Sequence, residues 1–142
     1  MSMNDPEPEL QALGAVQLRI PARAEWVAVA RLAAAAVGSR MRLSVDEIDD
    51  LKLAIAEACT LCIQRTEGTE NIDVRWDISP TELRITVAAD GQGPKLESVK
   101  DAADSKVDGL GVFLIQSLME DVAYDIDPQR GARLVMTKRA EQ

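Results

Sequence analysis

Two runs that alternate apolar and polar residues, Ile72 to Ile78 and Leu83 to Ala89, flank Ser79-Pro80-Thr81. Strand side chains point to opposite faces at period two, so each run presents one apolar face and the proline-containing break between them is a turn. A hairpin with one apolar face is marginal alone and requires further strands and a covering layer. The rest of the chain supplies both. Val16, Leu18 and Ile20 alternate with Gln17 and Arg19 as a half-buried strand that Pro21 stops. Val122 to Ile126 and Ala132 to Thr137 form a closing hairpin around Asp127-Pro128-Gln129-Arg130-Gly131.

The covering layer is helical. Trp26, Val27, Ala30, Leu32, Ala33, Ala34 and Val37 predict a helix from about Arg23 to Val37 that Gly38 terminates. Ser44 followed by Glu47 is a capping-box signature. It opens a second helix to about Arg65, with Ile48, Leu51, Ile55, Ala58 or Cys59, and Cys62 as its inner stripe and Gly68 as its stop. Gly109 to about Glu120 is the third. The expected fold class is therefore α+β, a two-layer sandwich with helices on one face of a mixed, mainly antiparallel sheet. The 142 residues make one domain, residues 13–142, behind an acidic, proline-bearing lead-in over residues 1–12 that reads as disordered. Gly91 to Asp108 is a loop longer than most connections, a length typical of lids or binding segments.

Composition narrows the function. Hydrophobic residues are 46% but aromatics only 3%, so the core is built from Ala, Leu, Ile and Val. A net charge of −8 opposes direct nucleic-acid binding and suits a basic protein partner. Cys59 and Cys62, with no histidine in the chain, make a poor metal site. Two small buried apolar side chains are a better reading of them than a redox pair. No apolar run reaches membrane-spanning length, and the acidic start lacks the features of a signal peptide, so the default location is cytoplasmic.

Gly109-Leu110-Gly111 runs into the helix that continues Val112-Phe113-Leu114-Ile115-Gln116-Ser117-Leu118-Met119. Free N–H groups at a helix start, and glycines without Cβ, allow an anion to approach closely. Upstream, in matching order, stand Glu57-Ala58-Cys59-Thr60-Leu61-Cys62-Ile63 and Ala89-Asp90-Gly91-Gln92-Gly93, and downstream Gly131-Ala132-Arg133-Leu134-Val135-Met136-Thr137-Lys138. With these boxes the chain, from Val16 to Lys138, resembles the anti-sigma-factor serine kinases of the GHKL ATPase superfamily.

That resemblance implies a GHKL-like fold and a set of ligands for ATP and magnesium. The family's Glu-x-x-x-Asn places a glutamate that polarises the attacking hydroxyl, matched by Glu57, and an asparagine that holds magnesium, replaced here by Leu61. Leucine offers no oxygen to a hard cation. The family's Asp-x-Gly-x-Gly puts Gly91 and Gly93 on the glycines and Ala89 on the aspartate that accepts from adenine. Period two sets Ala89 with Leu83, Ile85 and Val87 and points Asp90 the other way, although a bulge at the strand end would let Asp90 substitute. A plain turn is the alternative for Gly91 and Gly93. Gly109, Leu110 and Gly111 match the phosphate box, and in the tail the usual Gly-Thr is Gly131-Ala132, with Thr137 further along the same strand.

The nucleotide contacts implied by resemblance are thus Asp90, Gly91, Gly93, Gly109, Leu110, Gly111 and Thr137, with Glu57 as catalytic base and a depleted magnesium shell. The expected function is an anti-sigma factor that sequesters an alternative sigma factor, as a homodimer pairing through the N-terminal strand and first helix, and is released by an antagonist of the STAS type. ATP binding is expected to be weak or lost. An active serine kinase that phosphorylates the antagonist, and a stand-alone nucleotide sensor, are the alternatives.

Overall fold

The computed structural model describes residues 14–91, 108–127 and 131–139. Strand β1 is Gly14–Pro21, and a single 3-10 turn, Ala24–Trp26, leads into helix α1, Val27–Arg40. Helix α2 spans Val45–Gln64, strands β2 and β3 span Asn71–Ile78 and Glu82–Ala89, helix α3 spans Asp108–Leu118, and strands β4 and β5 span Asp121–Asp127 and Gly131–Arg139. The lead-in of residues 1–12, Gly93 with most of the long loop, and the middle of the last turn lie outside the described residues.

The five strands form one sheet in the order β1-β2-β3-β5-β4. Every neighbouring pair is antiparallel, so among the described residues the sheet is wholly rather than mainly antiparallel. The segment containing α3 returns the chain to the far edge at β4, and the hairpin then lays β5 against β3. Period two holds throughout: Ile72, Val74 and Trp76 of β2, Leu83, Ile85, Val87 and Ala89 of β3, and Ala132, Leu134 and Met136 of β5 are buried on one face. The opposite face carries charged pairs, Arg19 on Asp73, Arg75 on Asp77 and Arg139 on Asp121. These are exposed and worth little each.

Helix α2 is the central cover. Its Leu51, Ala54, Ile55, Ala58, Cys59, Leu61 and Cys62 are all buried. Full burial of a Leu or Ile contributes about 1.5–3 kcal/mol. The predicted capping box is present in both halves: Glu47 N–H donates to Ser44 Oγ at 3.1 Å, and Ser44 N–H donates to Glu47 Oε1 at 2.9 Å. The helix stops at Gln64, four residues short of Gly68, which instead supplies a positive φ of 74° in the turn toward β2.

Gly38 is a second correction. It does not end α1; the helix continues two residues to Arg40. A Cβ at Gly38 would lie 3.1 Å from Ile48 Cγ1 and 3.2 Å from Leu51 Cδ1, so the glycine is there to let α1 approach α2. The helix ends instead in a Schellman motif, with Leu43 N–H donating to Gly38 O and Arg42 N–H to Ser39 O. Arg42, at φ 61°, fills the left-handed position that glycine usually takes. On α1 the buried residues are Val27, Ala30, Ala34, Val37 and Gly38, whereas Trp26, at its N-cap, and Val29 and Leu32 remain exposed.

Candidate functional site

Residues four apart on α2 share one helix face, and Glu57 and Leu61 are one turn apart on it. Leu61 is 3% exposed and packed in the core, with no oxygen to offer a cation. Glu57 is half-buried, and α3 crosses next to it. There Gly111 takes its place: a Cβ on it would stand 3.2 Å from Glu57 Oε1. The first and third boxes, 54 positions apart in sequence, therefore meet at a carboxylate against a bare backbone. Gly109 and Leu110 lie in the same first turn of α3, where Leu110 is exposed. Among the described residues no group of acids and cysteines is arranged to hold a metal ion.

The second box lies at the end of β3. The register runs unbroken from Ile78↔Leu83 to Ile72↔Ala89, so no bulge shifts the strand end. Ala89 is 2% exposed on the helix-covered face, and Asp90 is exposed. Asp90 joins Asp73, Asp125 and Arg133 around an open pocket of about 290 Å³ that also includes Ala88 of the other sheet face. The structure thus does not bring Asp90 to Glu57 and Gly111, because strand parity turns it away.

Ala89 and Ala132 are direct register partners across β3 and β5. Each is 2% exposed. Two positions at which the resemblance implies polar residues are therefore adjacent in the sheet as one buried apolar pair. Thr137 is buried, but it alternates with Met136, Leu134 and Ala132 and so belongs to the opposite face, paired with Arg84 and Asp121. Strand parity puts it on the face toward which Asp90 turns and away from Glu57 and Gly111.

Gly91 has a structural role that its motif position does not announce. Its N–H donates to Thr69 Oγ1, and that hydroxyl also lies 3.4 Å from Asp90 Oδ1. A Cβ on Gly91 would collide with Glu67 O and with Thr69. Gly131, at φ 95°, packs on the other side, where a Cβ would run into the carbonyl oxygens of Ala89 and Gly91. The end of β3 is thus held from the turn that precedes β2 and from the first residue of β5. Thr69 could not be found in the sequence, because its partner is 22 residues away and no local pattern marks it.

Cys59 and Cys62 are fully buried and unbonded to each other. Burial pushes the Cys59 thiol up to about 12 and the Cys62 thiol up as well, so neither forms a thiolate at neutral pH. They act as small core residues.

The family model described as Histidine kinase-like ATPase domain matches residues 20–138. "Serine-protein kinase RsbW" of Bacillus cereus (strain B4264) is 34% identical over 139 residues, covering 87% of this chain and 83% of that protein. The protein of the same name from Listeria innocua serovar 6a is 35% identical over 136 residues, with 87% and 85% covered. That from Bacillus licheniformis is 33% identical over 137 residues, with 87% and 84% covered.

Proposed function

The chain belongs to the Histidine kinase-like ATPase domain family, and on that premise we propose that it is an anti-sigma factor that holds its sigma factor with little or no help from ATP. The observation that carries this reading is the apolar pair Ala89 and Ala132, facing each other at 2% exposure where the family resemblance calls for an acceptor and a threonine hydroxyl. Buried Leu61 completes it, since the position implied to hold magnesium is a core hydrocarbon. Losing one hydrogen bond to a polar ligand costs on the order of 1 kcal/mol or more, so two such losses lower ATP affinity by about tenfold to a hundredfold.

In this reading the single domain sequesters an alternative sigma factor in the cytoplasm and releases it to a STAS-type antagonist. The acidic chain, at −8, suits basic DNA-binding faces of a sigma factor, a complementarity that mainly speeds encounter. Pairing of two copies through β1 and α1 accounts for the exposed apolar residues Val16, Trp26, Val29 and Leu32.

A second reading is supported by a different observation. The apposition of Glu57 and Gly111 keeps the family's base beside its phosphate box, as an active serine kinase acting on the antagonist would require, and the relatives bear the name serine-protein kinase. Calorimetry separates the two. Weak or undetectable ATP binding that is indifferent to magnesium, together with inhibition of sigma-dependent transcription in a single-round assay free of hydrolysable ATP during loading, supports the nucleotide-free anti-sigma factor. Micromolar, magnesium-dependent binding overturns it in favour of the kinase.

A further inference from the structure

Arg40 and Arg42 border an open pocket of about 380 Å³ whose remaining lining is Met41, Ile78, Ser79 and Pro80. The arginines Arg19, Arg75, Arg84 and Arg139 of the sheet each hold a carboxylate, but Arg40 and Arg42 form no ion pair with any described residue. A basic side chain at a helix end commonly bonds the last carbonyls. Here that role is taken: Gly38 O accepts from the Met41 and Leu43 N–H groups, and Ser39 O accepts from the Arg42 N–H. Both arginines are exposed, and their guanidiniums are left to solvent. Arg42, at φ 61°, is moreover the only described residue other than glycine with a positive φ. The chain thus tolerates a backbone cost to keep a cation where glycine is free of strain.

Two unpaired cations at one pocket call for a dianion. A carboxylate supplies one charge and leaves a guanidinium over. A phosphate monoester carries about −1.5 to −2 at pH 7 and offers three acceptor oxygens to the two planar forks of donors. The rest of the lining is made for an apolar body rather than a bare ion. Met41, Ile78 and Pro80 are apolar, and the Ser79 hydroxyl is already engaged with Glu82, accepting from its N–H and donating to its carbonyl. A volume of about 380 Å³ lies within the range of small-molecule sites. None of the lining belongs to α2, α3 or the end of β3, so the pocket is separate from the apposition of Glu57 and Gly111.

We propose that this pocket is a binding site for a small phosphate monoester with a short apolar body. The dianionic head meets Arg40 and Arg42, and the body lies on Met41, Ile78 and Pro80. The bound ligand ties the turn between α1 and α2 to the turn between β2 and β3. It does so whether or not the chain binds nucleotide.

Phenyl phosphate titrated into the isotope-labelled full chain at constant ionic strength provides the test, read by amide shifts. Met41, Arg42, Ile78 and Ser79 should shift saturably, half-complete at about 10 mM or below. Inorganic phosphate, which lacks the apolar body, and benzoate, which lacks the second charge, should each bind at least about threefold more weakly. Arg40→Gln with Arg42→Gln should abolish the shifts. Arg42→Gly relieves the positive φ, so it should fold at least as stably while weakening binding by about threefold or more. Arg23→Gln, beyond the opposite end of α1, should change nothing. A phosphoserine peptide of otherwise polar sequence should bind no better than inorganic phosphate. Shifts at the four amides that are absent, that fail to saturate or that persist in the double variant would overturn the proposal. So would benzoate or inorganic phosphate binding as tightly as phenyl phosphate. Tighter binding of the phosphopeptide than of phenyl phosphate would equally overturn it, by making the occupant a protein.

Discussion

Gly111 of α3 lies against the Glu57 carboxylate of α2, with room for a hydrogen but only 3.2 Å between a Cβ there and Oε1. That distance is tight, yet the obstacle is the movable end of a long side chain. Gly111→Ala should therefore fold normally, because the ~1 kcal/mol that alanine gains over glycine in a helix offsets a small displacement of Glu57. Any nucleotide affinity the protein has should fall. Thermal unfolding alongside calorimetry checks both, and a large loss of stability would show the contact to be stiffer than the geometry indicates.

Restoring polarity should restore the ligand. The triple substitution Leu61→Asn, Ala89→Asp and Ala132→Thr should raise magnesium-dependent ATP affinity by about tenfold or more, at roughly 1 kcal/mol per recovered hydrogen bond. Ala89→Asp alone should instead cost about 1–3 kcal/mol in stability, since it places an unpartnered polar group at a position now 2% exposed. Denaturant unfolding of the single variant and calorimetry of the triple one are the measurements.

Two glycines with positive φ should respond differently to alanine. Gly68, at φ 74°, has open space around its Cβ position, so Gly68→Ala should cost only the left-handed strain of about 1–2 kcal/mol. Gly131→Ala adds collision with the Ala89 and Gly91 carbonyls and should cost at least about 2 kcal/mol more, in the range of the largest single-site losses. Equal midpoints in urea for the two variants would remove the packing explanation.

Ser44→Ala should destabilise the protein by about 1 kcal/mol through loss of the α2 cap. Hydrogen bonding from the Ser44 backbone N–H holds the Glu47 carboxyl below its ordinary range. A carboxyl lowered on folding contributes stability that is present above its unfolded value and is lost as pH falls through the folded one. Unfolding midpoints of the wild type should thus decline on the acid side, below the ordinary carboxylate range, and Glu47→Gln should flatten part of that decline.

The exposed residues of α1 provide the test of pairing. Leu32 is 69% exposed, so Leu32→Glu should leave the folded monomer's stability within about 0.5 kcal/mol. Sedimentation should show dimer for the wild type at micromolar concentration and monomer for the variant. A wild type that is monomeric throughout would dispose of the dimer.

What the sequence determined by itself was local. Period two in Ile72–Ile78 and Leu83–Ala89 placed the β2–β3 hairpin and its inner face, and Ser44 with Glu47 placed the start of α2, because strand alternation and helix capping involve residues only a few positions apart. The side of the strand on which Ala89 and Asp90 fall was legible for the same reason. The tertiary structure alone decided which distant residues meet: Gly38 as the α1–α2 contact rather than a helix stop, Thr69 and Gly131 gripping Gly91, Ala132 opposite Ala89, and Thr137 turned to the far face. These depend on strand order and on how closely two backbones approach, and neither leaves a periodic trace in the chain. Glycine shows this best, since the absence of a Cβ reads as a turn in sequence and only the packed neighbours reveal whether it serves a left-handed φ, as at Gly131, or a close crossing, as at Gly38 and Gly111.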